Sequence, residues 1–572
     1  MKVALVPTYS DIFDGPIVPI QKLLEGISIE ILTNIISVIN AELFTGIDNK
    51  RTQLNILKFL LRLQNTELKK SILLKISSFY VKNGQKDFAI FSPHITLEFL
   101  HYCVIELPKN TKKEDTTPSQ ELNFFKAYLI FSKLLNEKSV INDKPSEPLE
   151  FFQHNIWPNL IGQLEINHNT NFLTSLIKAK SLFDFLQYES EFDESVKKFL
   201  QANEIKDTWS YISILINALK NGISTIKTPS GLNPFFIKTD NEINLFEDLC
   251  FDYASYNDNY KAGKNNYSGF KEKPLVKFAP NVYLVLHWNL LGGKLYNYLI
   301  FDFFKKSGIG NHITFKNKDR TFLSFKQFIG THFIDNFLFR KLITSIFTDK
   351  RTVIEFDDDK EQGFPDAYVR TGNKIFLFEI KDALFSAKSI ESFDFTMIRG
   401  KIDEKYNSKR KGTGQLIKQL MKLESRPFEK KDYALLQLKQ RNLVIYPVII
   451  YTDIFFSMPG ISLYLQNEFN ARVTENNIIR FKAIKPLAFF NIDFLIENID
   501  LLKMKDFQLG KVIDYVSRQI VTRKNKYEKN MQSSNLHLWN DNFETIASKK
   551  LESNIRTRNY VNYVFEELDL KK

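Results

Sequence analysis

Thirty residues between Thr352 and Lys381 limit the fold of this chain more than any other stretch. They hold three short runs rich in β-branched and aromatic residues: Thr352 to Phe356, Phe364 to Arg370, and Ile375 to Lys381. Such runs predict strands, and Thr371-Gly372-Asn373-Lys374 between the second and third predicts a hairpin turn. Side chains alternate across a strand. Ile375, Leu377, Glu379 and Lys381 therefore share one face, and Phe376, Phe378 and Ile380 share the other. A carboxylate and an ammonium end a strand whose opposite face is aromatic, and that pairing calls for a reason.

The turn supplies one. A two-residue loop at Gly372-Asn373 sets Thr371 opposite Lys374 and, counted back along both strands, Asp366 opposite Glu379. A four-residue loop keeps this register, whereas an odd-numbered loop slips every side chain to the other face. Opposed residues have Cβ atoms roughly 4.5–5.5 Å apart, so two carboxylates would converge beside Lys381. Carboxylates that close repel, and one is driven toward protonation. A divalent cation removes the conflict. Oxygen donors suit Mg²⁺ (or Mn²⁺), which keeps several waters and accepts a phosphate oxygen as a further ligand. The alternative is an ordinary surface hairpin with Glu379 and Lys381 in a salt bridge.

The rest of the chain frames this segment. At 572 residues it is too long for one core, and its 44% hydrophobic and 25% charged composition is that of a globular protein. No apolar run approaches the length of a membrane span, and the N-terminus lacks the features of a signal peptide. Cys103 and Cys250 alone cannot build a disulfide framework, which fits a reducing cytoplasm. The net charge of +12 is mild for this length; it permits a polyanionic partner without requiring one. Apolar periodicity predicts a helical region over 1–107 and, after a polar linker, a second over 121–256, interrupted near Pro145, Pro148 and Pro158. Neither carries a phosphate-cradling loop or a dinucleotide fingerprint. A polar stretch from Asn257 to Lys273 reads as a surface loop. The helix Phe328 to Phe347 precedes the three strands. A helix from Gly414 with Thr413 as cap follows them, then the apolar strand Leu443 to Tyr451, in which Pro447 argues for an edge or bulge. A strand near Ile478 to Ile484 comes next. The fold class is α+β and multidomain: a largely helical N-terminal half, a domain over 275–500 with its core at about 328–452, and a helical C-terminal tail over 501–572.

Pro365-Asp366, twelve residues, then Glu379-Ile380-Lys381 resembles the signature of the PD-(D/E)XK nuclease superfamily, the restriction-endonuclease-like fold. The predicted αβββαβ order with a mixed sheet is similar to that family's core, and the resemblance covers roughly residues 320 to 490. It implies that Asp366 and Glu379, with the Ile380 carbonyl, bind Mg²⁺, and that Lys381 assists the attacking water or the phosphate. It implies cleavage of a phosphodiester to 5′-phosphate and 3′-hydroxyl ends, with double-stranded DNA as the expected partner and a role in bacterial antiviral defence or restriction. Relatives also place an acidic residue on the helix before the first strand, here Asp335, and a polar residue near the metal on the helix after the third, here Gln415. Glu355 is a further candidate metal ligand. If the loop 358–363 sets Asp357 opposite Phe364, Glu355 falls opposite Asp366.

Between Arg399 and Arg426 nine basic residues face three acidic ones. Lys409-Arg410-Lys411 lead into a helix N-terminus, where free amides favour a phosphate, and Lys418 lies a few residues on. These four are candidates for nucleic-acid contact; the stretch Arg518 to Lys529 reads as a solvated face. Three functions compete. The leading one is a Mg²⁺-dependent DNA endonuclease whose helical half recognises DNA, gates the site, or binds a partner protein or a second copy. The same chemistry on RNA or branched DNA is the second. A non-catalytic nucleic-acid-binding subunit that keeps the fold as scaffold is the third.

Overall fold

A computed structural model describes residues 6–570 apart from 47–49, 85–88, 108–117, 138–147, 168–170, 227–231, 254–255, 257–267, 316–320, 359–362, 426–427, 429–438, 530–541 and 552–557. The expected linker after residue 107, the break at 143–147, most of the polar loop from 257 and Asp359 lie outside the described residues. The architecture is α+β, with a largely helical N-terminal half and a mixed sheet in the C-terminal half. Among the described residues no helix is long and apolar enough to cross a membrane.

In the N-terminal half, the helices Ile29–Gly46, Pro93–Glu106 and Pro118–Asn136 turn Leu32, Ile36, Phe99, Phe124 and Tyr128 into one fully buried cluster. A small antiparallel sheet joins this half in the order β1-β3-β2: β1 (Phe236–Lys238), β2 (Leu275–Ala279) and β3 (Val282–Val285). Periodicity does not reveal it. Its strands hold three to five residues, and Phe236 pairs with the distant Leu284.

The larger sheet follows. β4 (Thr352–Phe356), β5 (Ala367–Thr371) and β6 (Lys374–Lys381) are antiparallel neighbours. β7 (Val444–Tyr451) adds in parallel to β6, and β8 (Ala483–Ile484) and β9 (Ala488–Asn491) add in parallel to β7. Both faces are covered. Phe376, Phe378, Val448 and Ile450 pack toward the helix before β4. That helix runs through Thr321–Phe328, a π-helical stretch Ile329–Phe339 and Arg340–Ile346. Leu377, Ile445 and Ile449 pack on the other side against Leu416, Leu420 and Leu465 of the helices Thr413–Ser425 and Ile461–Glu475. Burial on both faces explains why Val444–Tyr451 is apolar almost throughout. The C-terminal helices Phe543–Leu551 and Arg558–Glu567 add Phe543, Ile546, Val564 and Phe565 to the core on the first face.

Pro447 corrects one expectation. It lies in the central strand, opposite Leu377, with no bulge in the β6–β7 ladder. The Val444 amide faces β6, bonding to the Asn373 carbonyl, so by alternation the 447 position faces the other side. There the pairing jumps from Ile445–Ile484 to Val448–Ala488. The missing donor falls in the gap between β8 and β9, and the irregularity belongs to the neighbouring chain.

Candidate active site

The hairpin between β5 and β6 fixes the first part of the site. Gly372 takes a φ of 62°, while Asn373 is not among the residues at positive φ. Positive φ at the first central position alone is the type II′ requirement, which glycine meets without strain. The ladder runs from Thr371–Lys374 to Ala367–Phe378. That is the register expected for a two-residue loop, and it leaves Asp366 one residue before the strand, beside Glu379. The Ile380 amide donates to Asp366 Oδ2 at 2.7 Å and fastens the carboxylate there. Lys381 Nζ lies 2.7 Å from Glu379 Oε2 and 3.3 Å from Asp366 Oδ2. The two carboxylates thus share one ammonium. Lys381 and Asp366 keep 21% and 16% of their side-chain surface exposed, so the site opens on their side, while Glu379 keeps none.

Charge is unbalanced here. Burial, and then the charge of Asp366, hold the Glu379 carboxyl well above its ordinary range; Lys381 and Gln419 only partly oppose this. Burial pulls the Lys381 ammonium down, but Asp366 and Glu379 outweigh it, and its proton is held above the usual lysine range. Asp335, from the π-helical stretch, faces the same group. Burial first, then Asp366, push its carboxyl up to about 7 against the pull of Lys381 and Arg340. Asp366, Glu379 and Lys381 are therefore brought together, and Asp335 lies within electrostatic reach of them.

Two other expectations shift. Gln415 does not reach the trio. Gln419, one turn further along Thr413–Ser425, donates from Nε2 to Glu379 Oε1 and to the Phe364 carbonyl, the latter at 3.3 Å. Residues i and i+4 share a helix face, so the sequence leaves both glutamines open, and the axial position of the helix decides between them. Thr413 begins the helix without serving as cap; its hydroxyl donates to Asn407 Oδ1 at 2.7 Å. Glu355 pairs with Tyr368, not with Asp366, because the β4–β5 register is two residues off the one expected from the loop 358–363. The position in line with Asp366 is taken by Asp357, which adds to the upward push on Asp335.

The basic residues form a separate feature. Lys409, Arg410, Lys411 and Lys418 are exposed. The loop of the first three is tightly folded: a Cβ on Gly412, at φ 58°, would stand 2.1 Å from the Tyr406 carbonyl oxygen. Arg472 donates to the Asn407 and Ser408 carbonyls at 2.6 and 3.3 Å and pins the loop. At 1.5 Å per residue, the helix start lies roughly 9 Å from the level of Gln419. The loop flanks the trio rather than joining it.

Among the described residues no group of three or more His, Cys, Asp or Glu side chains is arranged to hold a metal ion. What the trio offers is two carboxylates whose facing oxygens already share a cation, plus the adjacent Ile380 carbonyl. Such a donor set fits Mg²⁺, which is commonly held by one or two carboxylates with water and substrate phosphate as the other ligands. It does not fit a closed structural site. Comparison with known proteins finds no matching family model, curated protein or solved structure.

Proposed function

We propose that this chain is a metal-dependent nuclease that hydrolyses DNA phosphodiester bonds at Asp366, Glu379 and Lys381. The observation that carries the reading is the shared ammonium: Lys381 Nζ within 3.3 Å of both carboxylates, at the end of a hairpin whose register places them together. Two carboxylates meet one lysine, with Asp335 within electrostatic reach, and a divalent cation would lower the raised pKa values that this crowding produces. Asp366 and Glu379, with the Ile380 carbonyl, would hold it. When bound, such an ion polarises the phosphate and makes water a better nucleophile.

The protein groups divide the remaining work. Lys381 stays protonated and orients a water or compensates charge on the phosphate oxygens. The Ile380 amide fixes Asp366, and Gln419 fixes Glu379, so neither carboxylate has to be ordered at the moment of reaction. Asp335, titrating at about 7, withdraws or supplies a proton beside Asp366. The exposed loop at Lys409, Arg410 and Lys411 meets the substrate backbone.

The test is cleavage of plasmid, single-stranded, branched and RNA substrates by the full chain with Mg²⁺ or Mn²⁺, with and without chelator. Metal-dependent cleavage of duplex DNA that is absent in Asp366→Ala supports the reading. Equal activity in the two proteins, or none on any substrate, sinks it; preferential cleavage of RNA or branched DNA transfers the same site to those substrates.

A further inference from the structure

A sizeable cavity lies away from the trio. It has a volume of about 820 Å³ and lies beyond the carboxyl ends of β6, β7 and β9, where Asp382, Thr452, Asp453 and Asn491 form its floor. Helical segments ahead of the large sheet supply the opposite wall, with Lys178 and Tyr296 among its residues. Carboxyl ends of parallel strands are the usual place for a ligand in an open sheet, and the volume is that of a small-molecule site. Asp366, Glu379 and Lys381 do not line it.

Its charges show what it would take. Five lysines line the cavity, and each is already in an ion pair with a carboxylate that also lines it. Eight carboxylates line it, so three are left over: Asp453, Glu497 and Glu544. These meet only neutral donors. Asp453 accepts from the Phe385 and Phe455 amides, both at 3.1 Å. Glu497 accepts from Asn171 and Thr174 at 2.9 and 3.1 Å. Glu544 Oε1 accepts from the Asn491 amide at 2.6 Å and the Tyr451 hydroxyl at 2.9 Å, and its buried Oε2 has no partner among the described residues. A second observation points to a ligand. Tyr296 is only 8% exposed, yet no hydrogen bond reaches its hydroxyl from the described residues. Lys178 caps its ring at 4.6 Å. The three surplus carboxylates do not form a metal-binding group, so one compact ion does not answer all of them. The wall between them is aromatic, with Tyr298, Phe322 and Phe494 beside Tyr296, and aromatic faces attract ammonium groups.

We propose that this cavity binds a small linear polyamine, whose ammonium groups neutralise Asp453, Glu497 and Glu544 and whose carbon chain lies along the aromatic wall. Burial pushes the Asp453 and Glu544 carboxyls up to about 7, so binding strengthens as pH rises through neutrality. The occupant would touch Asp382, next to Lys381, and Lys326, which pairs with Asp382 and lies on the helix that carries Asp335. The binding claim stands apart from the nuclease reading, since it is measured without nucleic acid.

The experiment is calorimetric titration of the full chain with spermidine at physiological ionic strength, above neutral pH, with ATP and Mg²⁺ as parallel ligands. The expected result is one saturable spermidine site per chain, weakened at least about 10-fold in Glu544→Gln and in Asp453→Asn, roughly 1.4 kcal/mol each. Tyr296→Phe, which removes only the hydroxyl, should weaken it by a few fold, and serves as the readout if either carboxylate variant fails to fold. Absence of saturable spermidine binding overturns the proposal. So does binding that these variants leave unchanged, or a site that takes ATP or Mg²⁺ in preference to the amine.

Discussion

Lys294 and Lys381 are both lysines set among carboxylates inside this protein, and they behave oppositely. Lys294 is 1% exposed at its side chain and meets Asp302 through both oxygens, at 2.8 and 3.1 Å. Burial outweighs that single partner and lowers its pKa. Lys381 meets two carboxylates with a third nearby, and its pKa rises. One cation to one carboxylate is a closed arrangement; it ties two turns together and asks for nothing more. One cation to three carboxylates is an open one. The excess negative charge is costly to fold around; protons relieve it, as the raised Glu379 and Asp335 carboxyls show, and an added cation would relieve it too.

Predictions follow from breaking each arrangement in turn. The largest effect belongs to Asp366→Ala. It should abolish Mg²⁺-dependent DNA cleavage by about 10³-fold or more, several kcal/mol of transition-state stabilisation, while the unfolding midpoint barely moves. Asp302→Ala should do the reverse. It strands the Lys294 ammonium in the interior, which costs about 3–5 kcal/mol, read as a lowered urea midpoint, with cleavage per folded molecule unchanged. Matching losses of activity in both variants would erase the distinction drawn between the two lysines.

Gln419→Ala should lie between them. Removing the donor to a fully buried Glu379 leaves that carboxylate short of a partner, at about 1–3 kcal/mol of stability, and should slow cleavage about 10-fold; Gln415→Ala should do neither. Asp335→Asn tests the unbalanced charge through pH. The folded carboxyl titrates at about 7, above the unfolded value of about 3.9. The native state therefore binds the proton more tightly, and this group's contribution to stability is full below the unfolded pKa and falls away as pH rises toward 7. The variant should flatten that decline and be more stable than wild type at alkaline pH, by about 1–2 kcal/mol, in denaturation series at several pH values. The smallest change is expected from Lys409, Arg410 and Lys411 replaced together by alanine. DNA binding should weaken across all sequences, and the slope of log affinity against log salt should drop by roughly 2–3.

The same comparison explains what was legible in the sequence. The trio's register was, because a Gly-Asn turn fixes its strands locally and the alternation of Ile375 to Lys381 leaves no doubt about faces. The α+β class was as well, from helical periodicity ahead of the clustered strands. Glu355 and Gln415 were not, because each depends on how a longer connection closes. The β4–β5 connection sets a register with Glu355 opposite Tyr368, and the seat of Thr413–Ser425 on the sheet decides which glutamine meets Glu379. The β1–β3 pairing and the surplus of Asp453, Glu497 and Glu544 were beyond reach altogether. Each set is spread over some fifty to ninety residues of chain, and only tertiary packing brings its members to one place.

Pro447 has a bearing on assembly of the sheet. Any other residue there would bring an amide hydrogen into the notch between β8 and β9, where the pairing jumps and leaves position 447 without a ladder partner. Proline removes that demand and also keys the sheet. A β9 that docked one residue out of step would set a carbonyl against a ring that cannot answer it, which disfavours that slip. β9 ends at Asn491, whose amide holds Glu544. A proline in the centre of the sheet thereby bears on the seat of a carboxylate more than ninety residues later.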